Sequence, residues 1–395
     1  MADKFKLKIC FVGWAFYPHV KLWAEWFAIR GHEIHVISHK PGLITGVKVH
    51  VIKGPDRTRS RWQRWKELDI DIKAIQYIKN YLRLKKLVGE IKPDILHAHS
   101  LYYPAYLTAF LGFYPLVVTV WAHDDASPAK AIKKGYSYKN RLWASWVTRY
   151  AMQKAKLITG ISKDLLEVVA FRGIDRNKLR KLNWGVNTND VIWSVDKKEA
   201  KRRLGLENKK VILCSRNLDP FYDQLTVIKA LSIINNNGID FKAVFIWNGA
   251  DIKYFKLLQE EINKLNIKSK ALLKGPVTGE YLAIYYRASD VFVSVPVMDS
   301  GPISMLEAMA GGAIPVMSDM PCVREWIKDQ KNGYLVPAKD PQALAKSLLL
   351  SLDETETNRT IVADNLQLVR QCGDMQKNFT KFEEHYYKLL EQCRH

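Results

Sequence analysis

Residues 290–318 read DVFVSVPVMDSGPISMLEAMAGGAIPVMS. The run 290–296 is apolar after its first residue and does not alternate, the pattern of a strand buried on both faces. A loop, Met298-Asp299-Ser300-Gly301-Pro302, follows, and an apolar helix begins at about Ile303. Gly311-Gly312 ends that helix and leads into the next strand, 313–318. The N–H groups at such a helix start, approached through a glycine, form an anion site suited to a diphosphate. Asp299 stands at the mouth of the loop, placed to accept hydrogen bonds from hydroxyls attached to that anion. Glu307 lies one turn into the helix, where its carboxylate can take two bonds from vicinal hydroxyls such as those of a ribose.

The same rhythm runs outward in both directions. Strand-length runs stand at 211–217, 242–248, 271–275 and 333–337 in this half, and at 7–13, 33–38, 47–53, 94–99, 115–121 and 156–162 in the other. Helical stretches such as 20–30 and 138–154 separate them, which predicts parallel sheets covered on both sides. The polar, basic stretch 187–210 interrupts the rhythm and reads as a linker with a short helix. The expected architecture is therefore α/β, with two doubly wound Rossmann-like domains facing across a cleft. The expected boundaries are a first domain over 1–190, a linker over 191–210, a second domain over 211–372, and a C-terminal helix over 373–395 crossing back to the first. Ligands of such sheets bind beyond the carboxyl ends of the strands. Residues 95–122 carry no Lys, Arg, Asp or Glu, but Pro104, Gly112 and Pro115 cut the stretch into strand, helix and strand rather than a membrane span.

Charge is divided unevenly along the 395 residues: the net +21 resolves into +18 over 1–190 and +3 over the remainder. Nine of the twelve tryptophans also lie in 1–190, in part within RTRSRWQRWK (57–66) and KAIKKGYSYKNRLWASWVTRYAMQKAK (130–156). Cationic, aromatic helices of this kind suit the headgroup zone of an anionic membrane surface. The five cysteines are scattered with no CxxC pair, which argues against a disulfide framework or cysteine zinc site and points to a reducing compartment. MADKFKLKICFVG runs into a strand without a signal-peptide apolar region. The expected location is cytoplasmic, peripheral on the inner face of the cell membrane.

DSGPISMLEAMAGG resembles the signature of glycosyltransferase family 4, the retaining GT-B enzymes of glycosyl transferases group 1: an acidic residue, seven residues, then Glu within an LEAMA helix. Asp299 and Glu307 have that spacing, with Asp where Glu is commoner. HVKLWAEWFAIRGHEIHVIS (19–38), KPDILHAHS (92–100), ITGISKDLLEVV with KLNWGVNTND, and SRNLDPFYDQLTVIKAL (215–231) resemble further parts of the family. The resemblance implies a donor site of Gly13, Arg216, Lys274, Val277, Asp299, Ser300, Gly301, Pro302, Ile303 and Glu307. It implies catalytic contacts by His123, Asp299 and Arg216, and acceptor-side contacts by His19, His99 and Asp124. The family's Arg and Lys pair for the donor diphosphate falls at Arg216 and Tyr222, so only the arginine is present.

The implied reaction is transfer, with retention, from a UDP- or GDP-sugar to a hydroxyl of a lipid or lipid-linked glycan. In it the acceptor hydroxyl gives its proton to the leaving phosphate. No cofactor beyond the donor is expected. A metal site from His97, His99, His123, Asp124 and Asp125 is chemically conceivable, but enzymes of this resemblance generally need none. Asp69-Ile70-Asp71, with DxD spacing, reads as a solvated helix face. The competing readings are a GT-B nucleotide-sugar epimerase or hydrolase, and a basic nucleic-acid-binding protein. No nucleic-acid motif is visible, and a nucleic-acid partner is not expected.

Overall fold

The computed structural model describes residues 5–52, 69–101, 103–113, 115–122, 138–187 and 195–393. It divides into two compact units: Met1–Leu182 with Phe379–His395, and Asn183–Asn378.

The first unit holds strands β1 (Lys8–Val12), β2 (Glu33–Ser38), β3 (Lys48–Val51), β4 (Ile95–His99), β5 (Leu116–Val120), β6 (Leu157–Gly160) and β7 (Leu179–Lys181). They form one parallel sheet in the order β3-β2-β1-β4-β5-β6-β7. Helices α1 (Pro18–Ile29), α2 (Asp69–Ile91), α3 (Tyr103–Phe110), α4 (Tyr138–Lys154) and α5 (Lys163–Phe171) supply the crossovers. Every residue of β4 and β5 is buried, the polar His97, His99 and Thr119 included, as in strands covered on both faces. Residues 95–120 are strand, helix and strand. Among the described residues no helix is long and apolar enough to cross a membrane. Strand β7 departs from expectation: LRK carries no apolar run, because an edge strand with an exposed centre needs none. Chain order reverses between β1 and β4, the point where such sheets open a ligand crevice.

The second unit repeats the plan with β8 (Lys210–Cys214), β9 (Phe241–Phe245), β10 (Ala271–Leu273), β11 (Val291–Ser294), β12 (Ile314–Ser318) and β13 (Tyr334–Val336). Their order is β10-β9-β8-β11-β12-β13, again all parallel. Its helices are α6 (Lys197–Arg203), α7 (Gln224–Asn236), α8 (Ile252–Lys264), α9 (Gly279–Ala288), α10 (Ile303–Gly311), α11 (Pro321–Arg324), α12 (Pro341–Leu352) and α13 (Glu356–Cys372). Alternate strand residues feed two cores. Ile212, Phe245, Val293 and Val316 pack with α7 and α12, while Leu213, Val244, Phe292 and Met317 pack with α9 and α10. Helix α6, inside the stretch read as linker, is tied to the sheet. Lys197 and Lys201 pair with Asp290 at 3.3 and 2.7 Å, and Asp290 also accepts from the Val211 amide at 2.8 Å.

Gly311 explains part of the AMAGG string. A Cβ there would stand 2.4 Å from the Tyr286 carbonyl oxygen, a backbone atom that cannot swing aside. Gly311→Ala is therefore expected to destabilise by about 1–3 kcal/mol and to lower the melting temperature. Gly89→Ala, in open space on α2, is the control and should be neutral or slightly stabilising. Equal effects would contradict the close-approach reading.

The last helix, α14 (Met375–Cys393), belongs to the first unit from Phe379 onward. Phe379 stacks on Trp26 at 5.2 Å, Phe382 meets Trp23 edge-on at 4.4 Å, and Tyr386 stacks on Phe27 at 5.4 Å. Between these rings the Glu383 carboxylate accepts from the Arg30 guanidinium at 3.0 and 2.7 Å and contacts His32 Nε2 at 2.6 Å. Burial works against the Glu383 charge, but Arg30 and His32 outweigh it and hold the carboxyl below its usual range.

Candidate active site

In the second unit chain order reverses between β8 and β11, and the residues following these two strands build the site. Arg216, just after β8, is only 14% exposed. Its Nη2 donates to Asp299 Oδ2 at 2.6 Å, and its Nη1 to Ser304 Oγ at 3.3 Å. The guanidinium carbon lies 4.4 Å from the centre of the Tyr222 ring. Burial opposes the charge, and Asp299 more than offsets it, so the guanidinium stays firmly protonated.

Asp299 also organises the loop after β11. Its Oδ1 accepts from the Ser300 amide at 2.7 Å and the Gly301 amide at 3.3 Å. Gly301 takes φ +146°, and the chain then enters α10 with Pro302 as its N-cap. That cap brings no side-chain hydrogen bond to the first turn. By contrast, α6, α8, α9, α12 and α13 are capped by Asp196, Asp251, Thr278, Asp340 and Thr355. Helices α7 and α11 likewise start without a side-chain cap; what sets α10 apart is that its first turn, beginning at Ile303 as the sequence predicts, stands next to Arg216, which donates to Ser304.

Glu307 is half-buried one turn further on. Its carboxylate hydrogen-bonds the Tyr286 hydroxyl, which also meets Ser215 Oγ at 2.7 Å. A carboxylate can only accept, so Tyr286 donates to Glu307 and Ser215 donates to Tyr286. Burial first, then the Glu307 charge, pushes the Tyr286 hydroxyl well above its ordinary pKa and keeps it a donor. A hollow of about 60 Å³ beside Arg216 is lined by Ser215, Asn217, Trp247, Val277 and Leu282 among others. Val277 is therefore at the site. Lys274 is exposed after β10 and is not among the residues lining the hollow. Ser215 and Ser304 stand inside the segments 215–231 and DSGPISMLEAMAGG singled out above, without being marked as site residues, and Tyr286 lies outside both.

In the first unit Gly13 follows β1 at the corresponding reversal. A Cβ there would stand 3.1 Å from His99 Cβ, a tight contact that would ask His99 to give by a few tenths of an ångström. His99 corrects the expectation of an acceptor contact, because its side chain is fully buried. It stacks against His97 at 4.3 Å and Trp121 at 5.4 Å, and His19 stacks on Trp121 at 5.0 Å. The exposed end of this pile is His19, with Trp121 half-buried beneath it. Among the described residues neither ring nitrogen of His99 has a hydrogen-bond partner, and burial pushes its pKa down to about 3. His97 is held by Tyr386 and Thr119, both at 2.6 Å. It fastens α14 to the sheet rather than facing a ligand. His123, Asp124 and Asp125 lie outside the described residues, as does the 57–66 cluster, and the side chains of Asp69 and Asp71 are likewise not described.

Comparison with known proteins agrees with this geometry. Residues 196–365 match the model of glycosyl transferases group 1, and residues 8–162 match that of glycosyl transferase 4-like domains. An uncharacterised glycosyltransferase of Methanocaldococcus jannaschii is 25% identical over 86% of this chain and 87% of its own length. The UDP-Gal:alpha-D-GlcNAc-diphosphoundecaprenol alpha-1,3-galactosyltransferase of Escherichia coli is 25% identical over 73% of this chain and 74% of its own. The crystal structure of Anabaena HepE in complex with UDP-glucose shares the fold, with a TM-score of 0.76 at 18% identity, covering 97% of this chain and 100% of that one. The two matched segments take in every strand but β7 and include both chain-order reversals, and the chain belongs to the glycosyl transferases group 1 family, as a glycosyltransferase of the GT-B fold.

Proposed function

We propose that this glycosyltransferase moves a sugar, with retention, from a UDP- or GDP-sugar to a hydroxyl of a lipid or lipid-linked glycan at an anionic membrane surface, on the cytoplasmic side. The observation that carries the reading is the pairing of Arg216 with an uncapped helix start, flanked by Asp299 and Glu307. The donor diphosphate would take the Arg216 fork and the open N–H groups of α10. Asp299 Oδ2, released from Arg216, would then accept a hydroxyl of the sugar, while Glu307, oriented by Tyr286, takes the ribose. As the anomeric C–O bond to phosphate breaks, negative charge grows on the leaving diphosphate where the cation and helix dipole already point. The acceptor hydroxyl bonds to the anomeric carbon on the same face and passes its proton to the leaving phosphate oxygen. Arg216 and the helix neutralise the diphosphate in this scheme, with no metal assigned a part.

Support for a lipid-linked acceptor comes from the name of the E. coli relative, which specifies a diphosphoundecaprenol-linked acceptor and UDP-Gal. Support for the membrane comes from the +18 charge and nine tryptophans of residues 1–190. The test is a screen of nucleotide sugars for release of nucleoside diphosphate, with and without membrane extract, with the product anomer assigned by NMR. Acceptor-dependent release with a retained anomer is expected. Inversion would overturn the mechanism. Release into water alone would favour the hydrolase reading, and salt-sensitive oligonucleotide binding without nucleotide binding would favour a nucleic-acid role.

Tyr222 gives a finer prediction. Tyr222→Phe keeps a ring face on Arg216 and should leave the donor KM near wild type. Tyr222→Ala should raise it about threefold to tenfold with the melting temperature little changed. Equal behaviour of the two variants would remove the stacking role.

A further inference from the structure

The first unit gathers two arginines that, among the described residues, have no carboxylate partner. Arg149 stands on α4, and Arg172 is the residue that closes α5. Arg172 Nη1 is buried and, among the described residues, has no hydrogen-bond partner. Burial, then the neighbouring Arg149 charge, depresses the Arg172 pKa, and no carboxylate offsets them. An Arg149 nitrogen lies 3.4 Å from where a Cβ on Gly173 would stand, which brings it to the same end of α5. Glu167, the acid nearest in sequence on α5, is already held by Arg176 at 2.6 Å through both oxygens. The carbonyl end of α5 accounts for two cations collecting there. It leaves the buried donor unanswered, and an unanswered charged donor is costly. A phosphate between the two forks would satisfy it with charge-assisted bonds.

The surroundings point to where that phosphate sits. Phe171, adjacent to Arg172, is 93% exposed, and Trp146, one turn before Arg149, is 52% exposed. Tyr150 stacks on Trp146 at 5.6 Å and on Phe110 at 5.0 Å, with Lys154 over its ring at 5.5 Å. A free phosphate ion needs no exposed apolar rings, whereas the headgroup zone of a bilayer accommodates aromatic rings and cations together.

We propose that the face formed by Arg149 and Arg172 with Phe171, Trp146, Tyr150 and Phe110 docks onto the phosphate groups of an anionic phospholipid bilayer. The assignment rests on the membrane part of the proposed function and names the surface that carries it. Its test is co-sedimentation of the full chain with phosphatidylglycerol–phosphatidylcholine vesicles and with phosphatidylcholine vesicles alone. The wild type should bind the anionic vesicles preferentially. Arg149→Gln and Phe171→Ser, both at exposed positions, should each weaken that binding about fivefold. UDP binding and melting temperature, read in parallel, should stay at wild-type values. Wild-type binding that both variants retain in full would overturn the assignment while leaving the membrane reading standing. A wild type that ignores anionic vesicles would overturn both and leave glycosyl transfer untouched. Complete release by inorganic phosphate at constant ionic strength would assign the pair to free phosphate and overturn the docking role.

Discussion

Replacing Arg216 by alanine is expected to lower kcat/KM for the nucleotide sugar by about a hundredfold to a thousandfold, the range for losing a donor aimed at developing charge. The size follows from the site having one arginine and one open helix end where the family resemblance implies two cations. Tyr222 stands at the second position and supplies a ring face instead. Arg216→Lys should recover only part of the loss, since an ammonium cannot bridge Asp299 and Ser304 as the planar fork does. The alanine variant also leaves Asp299 without its ion pair, though its bonds to the Ser300 and Gly301 amides remain. The loop should therefore keep its shape, and the melting temperature should fall only modestly. A variant that keeps wild-type turnover with donor at saturation and subsaturation alike would show that Arg216 does not touch the diphosphate.

Acid sensitivity of the first unit is the second large expectation. Burial holds His97 well below its ordinary pKa and brings His99 down to about 3, so both are neutral in the folded chain. The unfolded chain takes up these protons at about pH 6.5. Below that value the unfolded state binds more protons than the folded one, so stability present at neutral pH drains away as pH falls toward 3. A single histidine shifted this far accounts for at most about 4 kcal/mol across the window. His99 is the sharper probe, because its ring nitrogens have no partners to lose among the described residues. His99→Leu should be close to neutral in stability at about pH 7 and should flatten the loss between about pH 6 and pH 4. Denaturation midpoints across that range are the readout. An unchanged slope would show that His99 is not held neutral by the fold.

These two expectations draw on different parts of what was legible. The run DVFVSVP, the turn MDSGP and the helix start at Ile303 were readable because strand burial, glycine and helix periodicity are local properties. The alternating sheets followed from the same local signals repeated along the chain. The spacing of Asp299 and Glu307 was equally local. What the two acids contact was not. Asp299 meets Arg216 across 83 positions, and Tyr286 reaches Ser215 across 71. Contacts of that range depend on strand order, which no local pattern encodes. His99 shows the same limit in another form. The two-residue period puts His97 and His99 on one face, but their stacking with Trp121 is set by β5 lying beside β4. A polar residue type at a strand end therefore reads as a site residue until its neighbours are known. Strand β7 was missed for the opposite reason, since an exposed edge does not need an apolar sequence.

The most direct measurement is a crystal structure of the protein with a bound nucleoside diphosphate. The predicted result is phosphate oxygens within hydrogen-bond distance of the Arg216 guanidinium and the first amides of α10. The Arg216–Asp299 contact, 2.6 Å in the structure described above, should be opened. A nucleotide bound elsewhere, with that ion pair intact and the α10 start vacant, would contradict the account.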